Sequence, residues 1–206
     1  MPISHKYKAI FVHVPKTGGT SIHKFLKIPK QASALWGNER EIRILFNNRK
    51  FVLHHVPIGY IKHMYPEIFD DYFKFGFVRN PYDRVISEYR WHHRKEENRP
   101  EEVNDVVYFS KWIREFYEKD NIDHKCTQKC ILYYNDVLLM DKVYKYEDFQ
   151  ESIEEIKLML GAPELIMEHH NKSERQVDKE KLLNEENKEF IYNKFKEDFD
   201  TFEYDK

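Results

Sequence analysis

The hydrophobic positions of this chain follow two different periods. "YKAIFVHV" (7–14), "KFVLHHV" (50–56), "YFKFGFV" (72–78) and "DKVYKYED" (141–148) are short runs rich in aromatic and β-branched residues, and they predict strands. Between and after them the spacing turns helical. "TSIHKFLK" (20–27) places Ile22, Phe25 and Leu26 on one face, and "YDRVISEYRWHHRKEE" (82–97) predicts a helix with Pro81 suited to its first turn. Shorter helical patterns lie around 108–119 and 127–134, with "EEVNDV" (101–106) as a polar connection. "FQESIEEIKLMLG" (149–161) is amphipathic and closed by Gly161, and "NEENKEFIYNKFKEDF" (184–199) is a last helix. Strands alternating with helices predict an α/β fold with a mainly parallel central sheet flanked by helices. Ligands of such sheets bind at the carboxyl ends of strands, which here are segments 15–21, 54–57 and 79–81.

Length and composition narrow this picture. The 206 residues suit a single domain, 1–206, and 41% hydrophobic content is too apolar for a disordered chain. A formal charge of −2, from 34 basic and 36 acidic residues, gives no global case for nucleic-acid binding, so an anion site has to be local. No apolar stretch reaches the length of a transmembrane segment. The N-terminal "MPISHKYKAIFVHV" reads as a first strand, since its apolar run is broken by His13 and leads straight into a loop. Two cysteines, Cys126 and Cys130, do not make a disulfide framework and point to a reducing, cytoplasmic location. Their spacing puts both on one helix face, as two separate thiols or half of a metal site. No second ligand pair stands nearby, so no metal is expected.

The loop "PKTGGTS" (15–21) is the first candidate for chemistry. Gly18 and Gly19 let the backbone turn sharply and approach a ligand closely. Lys16 adds a charge, and Thr17, Thr20 and Ser21 add hydroxyls, beside the free N–H groups of a helix start. The set suits a phosphate or sulfate; a plain strand-to-helix turn is the bland alternative. The order differs from the G-x-x-x-x-G-K-[ST] loop of nucleotide hydrolases, because the lysine precedes the glycines. The second candidate is "FGFVRNPYDRVISEY" (75–89), with Arg79 at a strand end and Ser87 two turns into the following helix. An arginine and a hydroxyl so placed can grip one phosphate from two sides; alternatively, Arg79 pairs with Asp83 and Ser87 packs.

Together these stretches resemble the sulfotransferase superfamily, and within it the Golgi-type carbohydrate sulfotransferases and their bacterial relatives. "HVPKTGGTS" is similar to that family's 5′-phosphosulfate loop, and "FVRNPYDRVISEY" to its 3′-phosphate motif. "LHHVPIGYI" (53–61) resembles the segment bearing the catalytic histidine, and "HHNKS" (169–173) a later motif near the donor. The resemblance spans about residues 7–175; segments 28–49 and 92–135 match nothing assignable. It implies a single P-loop-like domain that moves a sulfuryl group from 3′-phosphoadenosine 5′-phosphosulfate (PAPS) to an acceptor hydroxyl of a glycan or glycoconjugate, without a metal. Lys16 would stabilise the leaving phosphate, with Thr17, Gly18, Gly19, Thr20 and Ser21 around the phosphosulfate, and Arg79 and Ser87 on the 3′-phosphate.

Family register makes His55 the base, since an imidazole titrates near working pH. His54 is the reserve, and strand alternation predicts that the two point to opposite faces. His13 is expected to be structural. Four further residues are candidates on the substrate side. Arg84 lies on the helix side of Ser87 and either assists an anion or pairs with Glu88. Trp91, in the cluster "RWHHRK" (90–95), either stacks on a sugar ring or belongs to a solvated cationic helix end. Asn171 and Ser173 either close over a ligand or form a turn. Glu147 follows a strand and has no role to assign. Two rival readings remain: a non-catalytic nucleotide- or glycan-binding module of the same fold, and an ATP-dependent phosphotransferase.

Overall fold

The computed structural model describes residues 3–28, 43–94, 103–118, 123–167 and 177–206. In chain order they form β1 (Ile3–Ser4), β2 (Ala9–Val12), α1 (Gly19–Phe25), β3 (Arg43–Phe46), β4 (Arg49–Val52), α2 (Ile58–Met64), α3 (Pro66–Phe69), β5 (Phe73–Val78), α4 (Pro81–His92), α5 (Val106–Tyr117), α6 (Gln128–Leu132), β6 (Tyr133–Tyr134), β7 (Val137–Leu138), β8 (Lys142–Lys145), α7 (Phe149–Met159), α8 (Lys179–Leu182) and α9 (Glu185–Phe202). They divide into two compact units, one of residues 1–78 with 121–170, the other of 79–120 with 171–206.

The first unit holds the central sheet, in the order β1-β2-β5-β8. β2, β5 and β8 are parallel, and β1 is added antiparallel at the edge. The aromatic runs explain the pairing. Phe11 stands opposite Phe75 and Phe77 opposite Tyr144, with each pair of rings 5.4 Å apart. Ile22, Phe25 and Leu26 of the first helical pattern join the same buried cluster, as do Ile153 and Ile156 of α7. Burying each large apolar side chain contributes roughly 1.5–3 kcal/mol. A mixed α/β architecture with a mostly parallel sheet is therefore what the two periods specify.

Two hairpins lie outside that sheet. β3 and β4 pair antiparallel through Asn47 and Asn48, both at positive φ, and β6 and β7 do so through Asn135 and Asp136. Asparagine and aspartate are the side-chain-bearing residues that best tolerate this left-handed backbone. The strand expected over 50–56 is thus half of a separate ribbon and stops at Val52, where Leu53–His55 tightens into a single 3-10 turn.

The second unit is helical. Its core joins Tyr82, Val85 and Tyr89 of α4, Phe109 and Ile113 of α5, and Ile191, Phe195 and Phe199 of α9. Pro81 opens α4, where the Asn80 side chain accepts from the Tyr82 N–H. Asp105 and Asn184 cap α5 and α9 in the same manner. Buried charges run through this core: Arg84 faces Asp198 at 3.9 Å, and the buried Glu88 carboxylate meets His92 at 3.1 Å. Among the described residues, no helix is long and apolar enough to cross a membrane.

Candidate functional site

The loop after β2 is shaped by its neighbours as much as by its own sequence. Lys16 and Gly18 both take positive φ, 71° and 80°, so the backbone enters the left-handed region twice within three residues. Thr17 is fully buried, and its hydroxyl donates to the Val14 carbonyl at 2.8 Å. That hydroxyl holds the turn together from inside. The Gly18 carbonyl accepts from the N–H groups of Ser21 and Ile22, which starts α1. A Cβ on Gly19 would lie 1.9 Å from His13 Nε2, and one on Gly18 would lie 2.9 Å from the Tyr146 ring. Both glycines are needed because aromatic rings occupy the space where a side chain would stand. Lys16 and Thr20 remain half-buried at the surface of the loop, and Ser21 is buried.

His13 leads from this loop into a cluster of imidazoles. Its ring centroid lies 4.5 Å from that of His55, 5.8 Å from His54 and 5.5 Å from His23. His124 lies 5.0 Å from His55 on the other side. Burial, and then the neighbouring imidazoles led by His55, hold the His13 pKa well below the ordinary histidine value. Burial also lowers His23 to about 4 and His54 to about 3. These rings pack as neutral aromatic groups.

A buried carboxylate holds His55. The imidazole Nδ1 lies 2.7 Å from Asp123 Oδ2, and both residues are 4% exposed. A carboxylate only accepts, so Nδ1 carries the hydrogen and Nε2 keeps the lone pair. Asp123 is itself fixed by backbone, accepting from the Val52 N–H at 3.3 Å and from the His124 N–H at 2.9 Å. The end of β4 therefore holds both members of the pair. His54 and His55, expected on opposite faces, have ring centroids only 4.0 Å apart. The expectation fails because the strand has already ended: a 3-10 turn advances about 120° per residue, so adjacent side chains no longer oppose each other.

The second unit collects arginines. Arg79, Ser87 and Arg90 are all half-buried. Burial, then the nearby Arg79 guanidinium, lowers the Arg90 pKa, with Asp83 opposing. Arg90 Nε is buried and has no hydrogen-bond partner among the described residues, while its Nη2 donates to the Val177 carbonyl at 3.4 Å. Arg79 thus acts electrostatically on Arg90, and Ser87 lies one helical turn before Arg90. Asp83, weighed as a partner for Arg79, forms an ion pair with Lys179.

Other sequence candidates fall elsewhere. Arg84 is 3% exposed, with its guanidinium against Asp198 and over the Phe195 ring, which makes it part of the core. Trp91 is exposed, and Arg94 covers one face of its ring at 4.0 Å. Glu147 is exposed in the turn after β8. Asn171 and Ser173 lie outside the described residues. Cys126 and Cys130 form no disulfide; the first donates to the Asp123 carbonyl and the second accepts from Arg49.

Asp123, His124 and Arg90 are the residues that sequence reasoning missed. Asp123 lies 68 positions from His55 in a segment without a motif. Arg90 was legible as one helical turn beyond Ser87, but it was read within the cationic run 90–95, as part of a sugar-binding patch or of a solvated helix end.

Searches of curated proteins and of solved structures each gave no match. The model of the sulfotransferase family matches residues 1–205, running through both units, and this chain belongs to the sulfotransferase family.

Proposed function

We propose that this chain is a P-loop-like sulfotransferase that moves a sulfuryl group from PAPS to a carbohydrate hydroxyl. The observation that carries the reading is the contact path from loop to base. Gly19 lies against His13, His13 against His55, and His55 is held by Asp123. A proton acceptor therefore sits one ring away from the loop assigned to the phosphosulfate.

Each residue then has a chemical task. Lys16 neutralises charge on the phosphate as it leaves, and the loop N–H groups from Gly18 to Thr20 orient it, with the Ser21 hydroxyl beside them. Gly18 and Gly19 let the loop close against the His13 and Tyr146 rings, which sets the turn that the phosphosulfate would meet. Arg79 and Ser87 take the 3′-phosphate, and Arg90 adds a second guanidinium. His55 Nε2 receives the acceptor proton while Asp123 steadies the resulting imidazolium through Nδ1–H. Asp123 is thus a positioning residue. PAPS supplies the activated sulfuryl group, and the chain supplies charge, orientation and the base. Two cysteines that form no disulfide with each other fit a cytoplasmic location.

The test is a screen of glycan hydroxyls with isotope-labelled PAPS, read by mass spectrometry for added sulfate, in EDTA. Sulfated product is expected in the chelator. Turnover from ATP that needs added Mg²⁺ would favour the phosphotransferase, and nucleotide binding without any product the binding module.

A further inference from the structure

The histidine cluster offers a second chemistry that the transfer reaction does not use. One ligand atom each from His55, Asp123 and His124 lie within 4.8 Å of one another. Two imidazoles and one carboxylate are the donor set of a borderline late transition-metal cation, whereas Mg²⁺ and Ca²⁺ require mostly oxygen. The set is well supported. Backbone N–H groups of Val52 and His124 hold the Asp123 carboxylate, which fixes its orientation as hydrogen-bonded metal ligands are fixed. His55 and Asp123 are buried, while His124 is half-exposed and gives an ion a side from which to enter. The three ligands come from two short turns, Leu53–His55 and Asp123–Lys125, both in the first unit.

We infer that His55, Asp123 and His124 form a binding site for a divalent cation of the zinc type, and that occupancy switches the proton acceptor off. The second half rests on the proposed function. The chemistry is the same whichever ring nitrogen is used. A metal on Nε2 takes the lone pair that would accept the proton. A metal on Nδ1 displaces the hydrogen held by Asp123, and the neutral ring then carries its hydrogen on Nε2 as a donor. In both cases no basic nitrogen is left for an acceptor hydroxyl, and no bond to the donor nucleotide is involved. The metal is an inhibitor of this site and takes no part in the transfer.

The experiment titrates the metal-free full chain with Co²⁺, a coloured stand-in for Zn²⁺, followed by visible absorption. A saturable, stoichiometric d–d band, erased by added Zn²⁺, is expected. His124→Ala and Asp123→Asn should each weaken Co²⁺ binding by at least roughly 10–100-fold, the loss that even an outer partner causes. His63→Ala, an exposed histidine of α2, should leave the band intact. Thermal unfolding of each variant controls for folding, and the parent titration stands on its own if a variant does not fold. Absence of a saturable band in the parent, a band that survives His124→Ala in folded protein, or an intense thiolate band assigning the ion to Cys126 and Cys130 would overturn the site. Zn²⁺ should then inhibit turnover of the parent at the concentrations that displace Co²⁺, and Zn²⁺ that binds without slowing turnover overturns the inhibition alone. Binding of adenosine 3′,5′-bisphosphate is measured in parallel: its loss with an intact Co²⁺ band overturns the functional reading and leaves the metal site standing.

Discussion

The two units carry their polar groups in opposite ways. The first surrounds a parallel sheet with imidazoles that burial keeps neutral: His13, His23 and His54 all have lowered pKa values. The second runs permanent charges through a helical core and settles them in pairs, such as Arg84 with Asp198. Imidazoles with pKa values this low stay neutral at physiological pH and act there as packing rings and hydrogen-bonding groups, so the first unit carries no charge on them. A guanidinium does not titrate in that range, so the second is suited to holding an anion whatever the pH. The division follows from residue chemistry, and it can be broken by substitution.

The largest effect is expected at the proton acceptor. His55→Ala should lower turnover about 10²–10⁴-fold, the usual share of general-base catalysis, while PAPS affinity measured by calorimetry stays near that of the parent. His54→Ala is the sharper companion now that both rings share one cluster. If turnover of the folded protein falls only with His54→Ala, the base is His54 and the roles within the turn are exchanged.

Next comes the buried pair of the second unit. Asp198→Asn leaves Arg84 short of a counter-charge at a position that is 3% exposed, and should cost about 3–5 kcal/mol in urea unfolding. A loss under about 1 kcal/mol, as at a surface pair, would mean that the pairing in this core is loose.

The pH dependence of stability separates the units directly. His23 has a folded-state pKa of about 4, below its unfolded value near 6.5. Above 6.5 both states are neutral and the group contributes no slope. As pH falls through 6.5 the unfolded chain binds the proton first, so stability drops until about pH 4 and then levels. At about 1.4 kcal/mol for each unit of depression, the loss is roughly 3 kcal/mol. His23→Phe should flatten that part of the curve measured by chemical unfolding. An unchanged slope would show that His23 is not the source.

The smallest effect is expected at the anion grip. Arg79→Ala should remove most of the preference for adenosine 3′,5′-bisphosphate over adenosine 5′-monophosphate, about ten- to a hundredfold, since a charged hydrogen bond is worth roughly 1.5–3 kcal/mol. Arg90→Ala should narrow the same preference by less. Equal affinity of the parent for both nucleotides would remove the 3′-phosphate assignment.

How much of this was legible in the sequence depends on the range of the forces involved. The strands β2, β5 and β8 and the helices between them follow from local periodicity, because each buries its own apolar face. The β3–β4 ribbon was not read, although Asn47–Asn48 is a hairpin signal, because the apolar run 50–56 looked like a sheet strand. The same misreading sent His54 to the wrong face. The loop and His55 could be singled out because glycines, a lysine and a histidine in register are local signs. Asp123 was invisible for the opposite reason: its meaning lies in a contact across 68 residues, which no local pattern encodes.

The approach of His13 to Gly19 also bears on how this protein can be altered. The loop backbone takes its shape from an imidazole face in the way a casting takes its shape from a mould, with the ring filling the place of the absent side chain. Positions 13 and 19 are therefore not independent variables. Adding bulk to one is tolerated only when the other is reduced, and single and double changes there will not sum. An engineer who wished to resize the anion loop would have to begin one strand-end earlier, at the ring.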